Sequence, residues 1–242
     1  MGATTGRWLC AEEPSMDYHE ALELQRALVD AKTTARLSRD VLMLLEHPPV
    51  FTLGRRGSHE HLLVAEAFLE SRRIRVVHAE RGGDITYHGP GQLVGYPVVD
   101  LRKNHWKVAD FVGALEEVMI RTVADWGIRA GRDPMNRGVW VGPSKIGSVG
   151  IAVRRGVSFH GFALNVNTSL APFSWIHPCG LQGVHMTSMQ RLLGKEISIK
   201  DARCAIALHI QEIFGVEMEQ VSLEDIYLLL GTEAQALGRE MI

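Results

Sequence analysis

Glycine placement constrains this chain more than any apolar run. Its 242 residues include 24 glycines, above the usual share of ~7%, and much of the excess falls in segments 81–95 and 142–161. A backbone without Cβ is needed where a chain turns hard or presses against a ligand or another strand. In the first segment Gly82-Gly83 and Gly89-Pro90-Gly91 bracket a short strand whose polar groups include Thr86 and His88. Such a loop can lay its backbone along a ligand while a few side chains fix orientation. It lacks the G-x-G-x-x-G order and following helix of a dinucleotide site, and no G-x-x-x-x-G-K-[ST] occurs anywhere. In the second segment Lys145 enters an apolar strand between Gly142-Pro143-Ser144 and Ile146-Gly147.

The periodicity between these segments is mixed. Helical stripes are expected over Met16 to Arg36, Leu62 to Arg73, Val108 to Trp126 with Gly127 as its stop, Asp201 to Phe214 closed by Gly215, and Ser222 to Leu230. Strands are expected at Val41–Leu45, Val50–Gly54, Ile74–Val77, Gly138–Val141, Ser148–Val153 and Val157–Val166, the last two joined by a hairpin turn at Arg154-Arg155-Gly156. Helices mixed with hairpin-linked strands indicate an α+β fold with a mixed sheet rather than a regular βαβ repeat. No linker, repeat or low-complexity tract divides the chain, so one domain over residues 1–242 is expected.

Bulk properties exclude several function classes. The net charge is −2 and 46% of residues are apolar, with no run long enough to span a bilayer and no basic stripe for nucleic acid. No secretory signal core or myristoylation signal is present. Cys10, Cys179 and Cys204 are odd in number and far apart, which suits a reducing compartment rather than a disulfide framework. A soluble cytoplasmic protein is the expectation.

Cys179 carries the chemistry. It lies in Trp175-Ile176-His177-Pro178-Cys179-Gly180, where proline pre-sets the backbone before the sulfur and glycine allows a sharp turn with exposed N–H groups. Those groups can hold the oxyanion of a tetrahedral acyl intermediate. A cysteine attacks as thiolate, and a nearby ammonium raises the thiolate fraction. Lys145 is a candidate for that ammonium if the fold brings it to Cys179, 34 residues later in the chain; His88, His160 and His177 are rival partners. The opposing readings are a small buried cysteine and a lysine that snorkels to solvent. Eleven histidines invite a metal reading, with His59 and His61 alternate and His177 and His185 flanking Cys179, but the ligand spacing of a zinc site is missing. No metal is expected.

These segments together resemble the lipoyl(octanoyl) transferases of protein lipoylation. The resemblance spans about Leu42 to Phe214 and rests on Arg81-Gly-Gly-Asp-Ile-Thr-Tyr-His-Gly-Pro-Gly-Gln, Lys145-Ile-Gly-Ser-Val-Gly, Arg154-Arg-Gly-Val-Ser-Phe-His-Gly-Phe-Ala-Leu-Asn-Val-Asn and Pro178-Cys-Gly. It implies a biotin/lipoate protein ligase-like domain, a mixed sheet flanked by helices. The implied activity moves an octanoyl group from octanoyl-acyl carrier protein to a lysine of lipoyl domains, those of 2-oxoacid dehydrogenases and the glycine cleavage H protein. Cys179 and Lys145 would be its catalytic pair. Its acyl-contacting residues would be Arg81, Gly82, Gly83, Asp84, Ile85, Thr86, Tyr87, His88, Ser148, Val149, Gly150, His160, Gly161, Phe162 and Ala163. No cofactor, nucleic acid or membrane is implied, and a monomer is expected. Two rival functions stand beside this one: an ATP-dependent lipoate or biotin ligase, which has no need of Cys179, and a non-catalytic acyl- or carrier-binding module.

Overall fold

The computed structural model describes residues 6–176 and 184–231. Its elements in chain order are β1 (Gly6–Glu13), α1 (Tyr18–Thr33), β2 (Val41–Leu45), β3 (Val50–Leu53), α2 (Glu66–Ser71), β4 (Arg75–His78), β5 (Ile85–His88), β6 (Gln92–Val98) and α3 (Val108–Ala124). There follow β7 (Gly131–Arg132), β8 (Val139–Val141), β9 (Ser144–Arg154), β10 (Val157–Asn165), β11 (His185–Met186), α4 (Met189–Leu193), α5 (Ile199–Phe214), β12 (Val216–Val221) and α6 (Leu223–Leu230). The main sheet runs β12-β1-β2-β6-β10-β9-β8-β7, with β11 added to β9, and β4-β3-β5 form a second, smaller sheet. The main sheet is mixed. β1 is parallel to β12 and β2, while β2, β6, β10, β9, β8 and β7 alternate antiparallel. This is the α+β arrangement expected.

Side-chain alternation explains the layers. In β2, Leu42 and Leu44 face a core shared with α3 and α5, whereas Val41, Met43 and Leu45 face one shared with α1 and α6. Both faces being covered, the strand reads as an unbroken apolar run. α3 turns Phe111, Leu115, Val118, Met119 and Val123 into the first core, the stripe its three- and four-residue spacing requires. The expected hairpin at Arg154-Arg155-Gly156 is present, with Arg155 and Gly156 at φ +51° and +90°, the two positive values of a turn matched to strand twist.

Three expectations need correction. The stripe from Leu62 to Arg73 yields only α2, because Leu62 bridges Ile176 and the Leu63 N–H donates to the Trp175 carbonyl. Tertiary pairing there outbids a local helical preference. The helix expected from Asp201 starts two residues earlier, since the Ser198 hydroxyl accepts the Asp201 N–H and caps it. The strand expected from Ser148 begins at Ser144 and so includes Lys145. The strands β1, β6 and β12 were not among those expected at all.

Candidate active site

A cavity of about 790 Å³ opens where the glycine segments meet. Its walls include Arg81, Gly82, Gly83, Asp84, Ile85, Thr86 and His88 from the loop into β5, Lys145, Ser148, Val149 and Gly150 from β9, and His160, Gly161, Phe162 and Ala163 from β10. Of the expected site residues inside the described range, Tyr87 alone is not on the wall. Alternation along β5 turns its ring away, onto Phe51 at 5.3 Å and Phe173 at 5.6 Å between centroids. Cys179 lies outside the described residues, as do His177, Pro178 and Gly180.

The glycines are there for close approach. A Cβ on Gly161 would collide with the carbonyl oxygen of Gly95 on β6, and one on Gly150 would come within 2.9 Å of the Gly82 carbonyl oxygen. The Gly82 N–H donates to the Ile151 carbonyl at 2.9 Å, so the loop carrying Arg81 is pinned flat against β9. The Arg81 guanidinium is buried against β3, donating to the Thr52 hydroxyl (3.0 and 2.7 Å) and the Thr52 carbonyl (2.6 Å). Asp84 accepts its neighbour's N–H, from Ile85, and lies 2.7 Å from His61 Nδ1. His61 is thus engaged with a wall carboxylate. Among the described residues no group of three or more His, Cys, Asp and Glu is placed to hold a metal ion.

Lys145 is 4% exposed. Its Nζ donates to the Arg137 carbonyl at 2.7 Å and lies 5.5 Å from the centre of the Trp140 ring. The peptide that carries this carbonyl is held in turn by Glu116, a carboxylate of α3 that is 1% exposed. Glu116 accepts the Gly138 N–H at 2.8 Å and pairs with Arg132 (3.4 Å) and Arg137 (3.3 Å). Gly138 has φ +125°, and the lysine stem would meet a Cβ there at 2.5 Å, so only glycine lets this loop close over Lys145. β11 runs parallel to β9 with Met186 opposite Lys145, and the Thr187 N–H donates to the Lys145 carbonyl. Met186, seven residues beyond Cys179 in the sequence, therefore runs beside Lys145.

At its other end the cavity meets a cluster of rings that sequence reasoning mostly missed: Tyr18, Tyr96 and, behind them, His47. His47 Nδ1 is 2.7 Å from the Met16 carbonyl and Nε2 is 2.7 Å from the Tyr96 hydroxyl. The first contact makes Nδ1 the donor, so Nε2 accepts from Tyr96. His88 Nδ1 bonds Gln92 Oε1 at 2.7 Å. Burial pushes His47 down to about 4 and His88 well below the ordinary imidazole range. Burial, and then the Arg81 guanidinium, brings His160 to about 4. Burial raises Tyr18 to about 12 and Tyr96 well above its usual value. At neutral pH these side chains are all uncharged. Val94, Val112 and Ile151 add apolar wall.

Comparisons with known proteins bear on the family and the fold. A family model described as the lipoyl protein ligase A/B catalytic domain matches residues 17–211. An octanoyltransferase of Desulfotalea psychrophila is 51% identical over 193 residues, covering 79% of this chain and 86% of that one. One from Syntrophobacter fumaroxidans is 46% identical over 215 residues, covering 89% and 94%. Among solved structures, a lipoate-protein ligase A bound with ATP superposes with TM-score 0.75 at 17% identity, covering 93% of this chain and 92% of that one. That likeness concerns the fold, and it is the ligase-like fold expected from the motifs.

Proposed function

The chain belongs to the octanoyltransferases of the lipoyl protein ligase A/B catalytic-domain family, and on that premise we propose that octanoyl-acyl carrier protein is its donor, a lipoyl-domain lysine its acceptor, and a thioester on Cys179 the intermediate. The observation that supports this most is Lys145, a buried lysine on the wall of a cavity whose β9 and β10 faces are otherwise glycine, apolar and uncharged polar groups. Such a cavity suits a linear acyl chain, with the reacting carbonyl at the lysine end.

In the first step the Cys179 thiolate attacks the donor's thioester carbonyl, the carrier's C–S bond breaks, and the carrier leaves as thiol with a proton from the Lys145 ammonium, which becomes neutral. The Lys145 ammonium favours the thiolate form of Cys179. In the second step the acceptor amine attacks the Cys179 thioester, the new C–S bond breaks to restore the thiolate, and neutral Lys145 takes the amine's proton. The loop at Gly82-Gly83 and the β9–β10 glycines leave width for the chain, and Arg81, Asp84 and Thr86 border it. Both steps run without ATP or another cofactor. The acceptors in this reading are the lipoyl domains of 2-oxoacid dehydrogenases and the glycine cleavage H protein, and the enzyme works as a cytoplasmic monomer built as one domain. No helix among the described residues is long and apolar enough to cross a membrane.

Intact-mass spectrometry after mixing with octanoyl-acyl carrier protein tests the reading. The expected result is one octanoyl adduct without ATP, absent in Cys179→Ala and retained in Cys204→Ala. Full turnover in Cys179→Ala would sink the covalent route, and a strict need for ATP would move the chain to adenylate chemistry.

A further inference from the structure

Two side chains on the cavity wall have no part in the steps above. Tyr18 and His160 are 2% and 1% exposed. Neither the Tyr18 hydroxyl nor either ring nitrogen of His160 has a hydrogen-bond partner among the described residues; Glu80 Oε2 lies 3.8 Å from His160 Nε2. Buried polar groups are almost always partnered, and these two border open space, so their partners come from what fills the cavity.

Their position gives the feature its meaning. His160 pairs with Ile151 across β10 and β9, and Lys145 precedes Ile151 by six residues on β9. At a strand rise of ~3.3 Å per residue that separation is about 20 Å, which sets the two polar groups at the end of the cavity away from Lys145. The β9 and β10 wall between them is Ser148, Val149, Gly150, Gly161, Phe162 and Ala163, of which Ser148, near the lysine end, carries a polar side chain. His160 also sits at φ +55° inside an otherwise extended strand, a conformation costly for a residue with a Cβ and retained where the surroundings hold it. Its N–H is taken by Gln25 Oε1 at 2.6 Å, from α1, the helix that begins at Tyr18. One helix thus places both groups.

We propose that Tyr18 and His160 form a polar floor that sets the length of acyl chain the cavity accepts. A chain that ends short of the floor leaves both groups with water. A longer chain strips that water and presents a methyl group, which can bond to neither. The role is selection of substrate, since neither residue reaches the reacting carbonyl, and it rests on the acyl-site reading above.

The experiment compares adduct formation from octanoyl-, dodecanoyl-, hexadecanoyl- and octadecanoyl-acyl carrier protein, the last two long enough when extended to span the cavity, in the native enzyme and in Tyr18→Phe, which deletes the hydroxyl and keeps the ring. The readout is the hexadecanoyl-to-octanoyl rate ratio. We expect Tyr18→Phe to raise it about tenfold, the worth of one buried hydroxyl left unpaired. Isothermal titration with free octanoate and hexadecanoate reads the same preference without carrier docking and should move the same way. A uniform change across all chain lengths, or an unchanged ratio in both measurements, overturns the floor. If the native enzyme forms no adduct with any of the four donors, the acyl-transfer reading itself has failed, which is a different result.

Discussion

The two ends of the cavity are both buried, yet they are held by opposite means. Around Lys145 the fold uses charge: a fully buried carboxylate, Glu116, gathers Arg132, Arg137 and the Gly138 N–H, and the loop so fixed offers its carbonyl to the lysine. Around His160 it packs uncharged rings, imidazoles and phenols at centroid distances of 5.2 to 6.4 Å, with Arg81 and Glu80 as flanking charges. An acyl transfer needs both conditions in one cavity. The carbonyl end must stabilise charge that develops during reaction, while the hydrocarbon end must not compete with it. On the acyl-transfer reading proposed above, chemistry falls on the β8–β9 side and selection on the α1–β10 side.

Lowering the pH strains one end first. His47 and His160 stand near 4 in the fold and near 6.5 when unfolded. Above 6.5 neither state binds these protons, and their contribution is complete. As pH falls from 6.5 to about 4 the unfolded chain takes them up and the folded one does not, so stability declines; His88, lowered in the same direction, adds to it. The loss is on the order of 3 kcal/mol for each of the first two rings by pH 4. Urea midpoints at pH 7 and pH 5 read it. We expect a clear drop in the native enzyme and a smaller one in His160→Asn, whose side chain tolerates the left-handed backbone. An equal drop in both would show that the ring is not excluded from protonation by the fold.

The other end breaks differently. Glu116→Ala leaves the buried Gly138 N–H unpaired and releases two arginines to solvent, at a cost of about 2 kcal/mol, and Cys179 adduct formation should slow because the loop that holds Lys145 loosens. Glu116→Gln keeps an acceptor for Gly138 and should lose less of both. If Glu116→Ala unfolds at a lower urea concentration yet forms adduct at the native rate under conditions where it is folded, Glu116 supports the fold without positioning Lys145.

How much of this was legible differs between backbone and side chain. The glycine segments announced the cavity because close backbone approach can be met by few other residues, and β2, α3 and the hairpin at Arg155-Gly156 followed from burial period and turn chemistry. β1 and β12 did not. Trp8 and Cys10 face one core and Leu9 and Ala11 the other, which erases alternation, and their pairing joins Gly6 to Val216 across almost the whole chain. Tyr18 reads as one more apolar position on the stripe of α1, and Glu116 beside Glu117 as part of a solvated helix face. Only the fold turns the first toward a cavity and buries the second.

Tyr87 gives the smallest effect and the sharpest check on that lesson. The motif from Arg81 to His88 reads as one ligand-facing block, and β5 divides it: Thr86 and His88 border the cavity, Ile85 borders it while packing in the core beneath the small sheet, and Tyr87 packs in that core with Phe51 and Phe173, off the cavity wall. Its hydroxyl lies where a Cβ on Gly89 would fall, which makes the Gly89 turn a response to this ring rather than to a ligand. Tyr87→Phe keeps the ring contacts and should change stability by less than about 0.5 kcal/mol. Octanoyl adduct formation and the preference among chain lengths should both stay at native values, in contrast to the shift expected from Tyr18→Phe. If removing the Tyr87 hydroxyl alters chain-length preference as much as removing that of Tyr18, the cavity has been drawn on the wrong face of β5, and the division between its two ends falls with it.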